Sequence, residues 1–198
     1  MGTSNTKIDW RIFETNFSAD IRGAFQQLTE QLFCYEYKQP YGIFRFYNQP
    51  YIETMPIIVD TRTIGFQAKY FDASTKLSDK VEELCSAITG AHAKYPTLTH
   101  IVLYINKEFG ISTKTDQIAP SYMQTIEKHA EGLSITIEWC GLSQIETILL
   151  HPDTRFLRDY FFSTDYERGL RYTLNEIKSH GNSILKNISI HITCRDKT

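Results

Sequence analysis

The run Thr99-His100-Ile101-Val102-Leu103-Tyr104-Ile105 most narrows what this chain can fold into. An apolar run of strand length, bounded by polar residues, has no face to give to water. It reads as a strand buried on both sides, as in a parallel sheet with helices above and below. The flanking sequence supplies such helices. Trp10, Phe13, Phe17, Ile21, Ala24, Leu28 and Leu32 recur at steps of three and four, predicting one long amphipathic helix. Pro40-Tyr41 and Gly42 end it. A second, more polar helix is expected from Ser78 to Lys94, stopped by Tyr95-Pro96.

Between these helices, Ile43 to Tyr47, Tyr51 to Val59 and Ile64 to Phe71 read as a β-meander. Asp60-Thr61-Arg62-Thr63 is the polar turn of a hairpin joining the last two strands. Pro56 demands a bulge or an edge position. Beyond the apolar run, Asn106 to Pro120 reads as a polar loop, Ser121 to Glu131 as a helix and Ile135 to Trp139 as a strand. This order predicts a three-layered α/β core with a mixed sheet. After Gly141 the pattern changes. Gln144 to Leu150, Arg155 to Phe162 and Glu167 to His180 look helical, and Ile188 to Thr193 alternates like a strand. The expected division is therefore a core over residues 1–141 and a helical extension over 142–198. A strand-like segment with nothing after it to pair is expected of a piece that continues into a downstream domain.

Composition limits the function classes. With 41% hydrophobic and 22% charged residues, the chain has the make-up of an ordinary globular protein. A net charge of −2 excludes a purely electrostatic nucleic-acid binder. It leaves room for a nuclease, because bound divalent cations can bridge carboxylates to phosphates. Cys34, Cys85, Cys140 and Cys194 form no CxxC pair and are expected as free thiols in a reducing cytoplasm. No run of ~18 apolar residues predicts a membrane span, and the first residues lack the apolar centre of a signal peptide. The histidines form no HxH or HExxH pair, and neither GxxxxGK[ST] nor GxSxG occurs.

The candidate chemistry lies in Ile64-Gly65-Phe66-Gln67-Ala68-Lys69-Tyr70-Phe71. Alternation puts Gln67 and Lys69 on one face and Phe66, Ala68 and Tyr70 on the other. With the turn centred between Thr61 and Arg62, Glu53 falls opposite Tyr70, or opposite Lys69 after a one-residue bulge at Pro56. A carboxylate, an amide oxygen and an ammonium group then lie within cross-strand reach. Such a set suits phosphodiester hydrolysis: the acid binds a hard cation, and the lysine orients water and offsets charge on the phosphate. Asp60 is the rival acid, but it stands in the turn, where Asp is favoured for local hydrogen bonding. Lys38, Arg45, Lys76 and Lys80 are surface cations by default, and Tyr70 and Phe71 core aromatics.

This pattern resembles the PD-(D/E)XK nuclease superfamily, in particular its Mrr-type branch and the N-terminal effector nuclease domains of bacterial antiviral STAND NTPases. The resemblance rests on Glu53 fourteen positions before Gln67, on Gln67-Ala68-Lys69, and on the strings Gly42-Ile43-Phe44-Arg45, Asn48-Gln49 and Ile52-Glu53. Trp10 with Phe13-Glu14 is similar to the family's first-helix element. Likeness extends over about Trp10 to Trp139. Tyr51 stands where the family usually has a small residue, and Glu53 where Asp is commoner.

The resemblance implies a restriction-endonuclease-like fold and a Mg²⁺-dependent endodeoxyribonuclease, with Mn²⁺ as a substitute ion. Glu53, Gln67 and the carbonyl of Ala68 would hold the metal, Lys69 would position the nucleophilic water, and Glu14 would assist. It further implies a cytoplasmic antiphage effector acting on double-stranded DNA, linked to sensor and NTPase domains. Such an effector is switched on as a homo-oligomer, a dimer or a tetramer, since clustering weak DNA sites supplies avidity on demand. The competing expectation is a catalytically inactive module of the same fold serving DNA binding or assembly.

Overall fold

The computed structural model describes residues 8–110 and 119–164. The first elements are α1 (Trp10–Asn16) and α2 (Ile21–Glu36). The single long helix expected from the apolar spacing is thus two. Asp20 accounts for the break: its carboxylate accepts the Gly23 N–H at 2.9 Å and starts a new helix. Such a cap is worth about 1 kcal/mol. Both helices bury their apolar faces in one cluster, so the spacing continues across the interruption.

Three strands were expected next, and two form: β1 (Ile57–Val59) and β2 (Arg62–Lys69). Residues 43–47 join no sheet, and neither does most of 51–59. Gly42, Asn48 and Tyr51 all take positive φ, which bends this stretch repeatedly. The hairpin is also tighter than expected. Val59 pairs with Arg62, leaving Asp60 and Thr61 as a two-residue turn, with Asp60 at φ 55°.

A 3₁₀ turn at Leu77–Lys80 leads into α3 (Val81–Lys94), then β3 (His100–Ile105), α4 (Ser121–Glu131), β4 (Thr136–Cys140) and α5 (Leu142–Leu150). A second 3₁₀ turn precedes α6 (Arg155–Phe161). The expected helix at 167–180 and strand at 188–193 lie outside the described residues.

The sheet runs β1-β2-β3-β4, antiparallel at the first pair and parallel at the other two. Among the described residues it is a mixed four-stranded sheet flanked by helices. β3 is buried on both faces, as its composition requires. Val102 and Tyr104 join Leu28, Phe33, Phe66 and Ile145 on one side, while Ile101 and Leu103 join Leu84, Ile88, Ile126 and Ala130 on the other. Each such large side chain contributes about 1.5–3 kcal/mol by leaving water. α5 and α6 add Leu149, Leu157 and Phe161 to the α1–α2 side, where Phe162 stacks on Phe13 at 5.5 Å. Among the described residues no helix is long and apolar enough to cross a membrane.

Candidate active site

The segment before β1 runs beside the C-terminal half of β2. Its backbone touches β2 at Glu53, whose N–H donates to the Phe66 carbonyl at 3.0 Å. The Glu53 carboxylate then bends over the next ladder position and accepts the Ala68 N–H at 3.1 Å. The predicted partner of Glu53, Tyr70 or Lys69, is therefore corrected to the Phe66–Ala68 stretch. The two-residue turn and the extra residues around Pro56 shift the acid back along β2. A side-chain oxygen here does what a neighbouring strand's carbonyl would do.

Glu53, Ala68 and Lys69 line one polar cleft of about 320 Å³. Arg22, Gly23 and Gln26 of α2 form one wall, and Tyr70, Phe71, Lys80 and Glu83 close the rest. Glu53 and Gln26 also line a second cleft of about 260 Å³, completed by Arg45, Phe46, Tyr47, Asn48 and Gln49. A larger hollow of about 450 Å³ lies at β4 and α5, among Glu36, Glu138, Cys140 and Ile148. It contains none of the residues expected from the sequence. Size alone does not single out a site; convergent polar groups do.

Burial weighs on Glu53, as it does on Glu30 and Glu36. It raises the Glu53 pKa above the usual carboxylate range, only partly offset by the Ala68 N–H and the charges of Lys69 and Arg45. Among the described residues no cation stands within ion-pair distance of it. Lys69 instead donates to Glu83 at 3.3 Å, and Lys80 reaches the other oxygen of Glu83 at 3.0 Å. Burial would raise the Glu83 pKa, but these two lysines outweigh it and hold it below the ordinary value.

Gln67 and Glu14 sit apart from the cleft walls. Gln67 is buried on the α3 side of β2, where its Nε2 donates to the Tyr51 carbonyl at 2.7 Å. That bond fixes the amide while leaving Oε1, the end a metal can use, uncommitted to it. Glu14 is exposed on α1 and accepts the Tyr70 hydroxyl at 2.9 Å. Burial first, then this hydrogen bond and charge, raise the Tyr70 pKa. Tyr51 lines neither cleft. Its ring folds onto α3 at Gly90, so closely that a Cβ there would lie 2.2 Å from a ring carbon.

Sequence reasoning did not foresee Arg22, Gln26 or Glu83 at this cleft. They arrive from two separate helices, and no motif spacing links them to β2. Arg22 and Glu83 look like ordinary solvated helix flanks until the helices are docked.

The Glu53 carboxylate and the Ala68 carbonyl match a hard divalent cation in kind, while the Gln67 amide stands outside this cleft. The uncompensated burial of Glu53 is what a cation would relieve. Strand geometry directs both the N–H and the C=O of Ala68 toward the Glu53 edge. Among the described residues no three His, Cys, Asp or Glu side chains converge as a metal cage. The set thus fits an ion that keeps several waters rather than a fully protein-ligated one. No protein-family model matches the chain, and no curated protein matches it.

Proposed function

We propose that this chain is the catalytic core of a metal-dependent endodeoxyribonuclease of restriction-endonuclease-like fold, cutting double-stranded DNA. The observation that supports this reading is the meeting of Glu53, the Ala68 peptide group and Lys69 at one polar cleft. Glu53 and the Ala68 carbonyl would hold Mg²⁺ or Mn²⁺, and Gln67 would act from outside the cleft through its bond to the Tyr51 carbonyl. When bound, such an ion polarises the phosphate and lowers the pKa of its water.

The remaining roles belong to the chain's own groups. Lys69 orients the attacking water and offsets charge growing on the phosphate. Arg22 and Lys80, on the same cleft, attract the DNA backbone. Glu14 acts through the hydroxyl of Tyr70, which is a wall of the cleft. The wider role follows from the resemblance to antiviral effectors: a cytoplasmic nuclease held idle until linked sensor and NTPase domains cluster it into a dimer or tetramer.

One observation favours a second reading, an inactive module that binds DNA or supports assembly. Lys69 is engaged by Glu83 and the Gln67 amide is tied to Tyr51, an arrangement a purely structural site would also adopt. Plasmid nicking separates the two. Wild-type protein is expected to nick supercoiled DNA with Mg²⁺ or Mn²⁺ and to stop in EDTA. Lys69→Ala is expected to slow nicking by about 10²-fold or more without reducing thermal stability. Nicking that survives the substitution would remove Lys69 from the mechanism, and DNA binding without nicking in either ion would favour the second reading.

A further inference from the structure

The second cleft beside Glu53 is lined by residues 45–49, and the chain around them exposes a group of aromatic rings. Tyr41 is 100% exposed, Phe44 67%, Phe46 58% and Tyr47 95%. This hydrophobic surface is costly to leave in water and stands next to a polar, charged cleft. Its shape is fixed. The Phe44 carbonyl accepts the Met55 N–H at 2.9 Å, and the Gln49 side chain accepts the Phe46 N–H at 3.1 Å. Phe44 and Phe46 meet edge to face at 5.0 Å.

Two polar features point to the occupant. Arg45 lies between these rings in sequence and lines the cleft, its guanidinium 3.2 Å from Glu30. Gln49 lines the same cleft, where its Oε1 holds the Phe46 backbone in place. Flat apolar rings beside a guanidinium are together what an unstacked nucleobase and its phosphate require. A lipid surface would use the rings and the cation but would not account for Glu53 in the same cleft.

We infer that Phe46 and Tyr47, with Arg45 and Gln49, form a base-stacking platform beside the Glu53 cleft. It selects DNA carrying unpaired bases, such as bubbles, gaps or frayed ends, over fully paired duplex. This rests on the reading of the Glu53 cleft as a DNA site. Stacking one base on an aromatic ring is worth about a factor of ten in affinity or more.

Fluorescence anisotropy in EDTA, where no cutting occurs, tests it on the whole chain. The probes are a paired duplex and the same duplex with a short central bubble containing 2-aminopurine. Wild type is expected to bind the bubble about tenfold more tightly and to quench the 2-aminopurine. Phe46→Ala/Tyr47→Ala changes only exposed positions, and is expected to lose the quenching and the preference while binding paired duplex as before. Phe156→Ala, an exposed ring outside both clefts, should retain both. Equal affinity of wild type for the two DNAs overturns the platform, even if the protein nicks plasmid. So does ring-dependent binding to anionic phosphatidylserine vesicles without any bubble preference. A bubble preference in a protein that never nicks supports the platform and sinks the nuclease reading alone.

Discussion

Glu53→Gln is expected to cut metal-dependent nicking by about 10²-fold or more and, at neutral pH, to make the protein more stable than wild type. The two effects share one cause. Glutamine keeps an oxygen for the Ala68 N–H but cannot carry charge, so it loses the cation and also the cost of a buried carboxylate. The pH dependence has a definite sign. Burial holds the folded pKa of Glu53 above its unfolded value. The stability this group contributes is therefore complete below the ordinary glutamate range, and is lost as pH rises through the folded value. The variant's advantage in melting temperature should be largest near pH 7 and shrink toward pH 4. Thermal scans at both pH values, run beside the plasmid assay, decide the matter. A variant that nicks normally, or gains stability only in acid, contradicts the role given to this carboxylate.

Phe66→Ala is expected to destabilise the fold by about 3–5 kcal/mol, lowering the melting temperature by roughly 10 °C. Phe66 is fully buried in β2, its ring stacked on Phe33 at 4.7 Å and edge-on to Tyr104 at 5.9 Å. Alanine leaves a void bounded by α2 and β3 that one ring anchored on the helix and one on the strand cannot close. Nicking should fall as well at temperatures where the variant stays folded, because the Phe66 carbonyl anchors the Glu53 backbone. A cost near that of a surface substitution, below about 0.5 kcal/mol, would mean that β2 is not held as described.

Where the sequence carried a strong local signal, it foretold the structure closely. The apolar run at β3 left no alternative to a strand covered on both sides. The Ser121–Glu131 helix appears with the expected bounds because a proline precedes it and a glycine follows. The misreadings have equally local causes. Phe17 and Ile21 keep the helical spacing across a break that only the Asp20 cap reveals. Residues 43–47 look like a strand because aromatic residues favour strands, yet they form no ladder with a neighbouring strand and their rings face outward. The acid, Ala68 and Lys69 were readable from one segment of chain and its hairpin partner. The rest of the cleft was not, since Arg22 and Glu83 join it only through how α2 and α3 pack on the sheet.

The seat of Tyr51 on Gly90 ties two distant positions into one inheritance. A lineage of this protein could not acquire a side chain at 90 without first shedding the ring at 51, since both would claim the same space. A side chain gained at 90 alone would press on the Tyr51 ring, and through it on the Tyr51 carbonyl that steadies Gln67. In kin with a small residue at 51, the matching place on α3 is released to vary, so the two should change in concert across descendants.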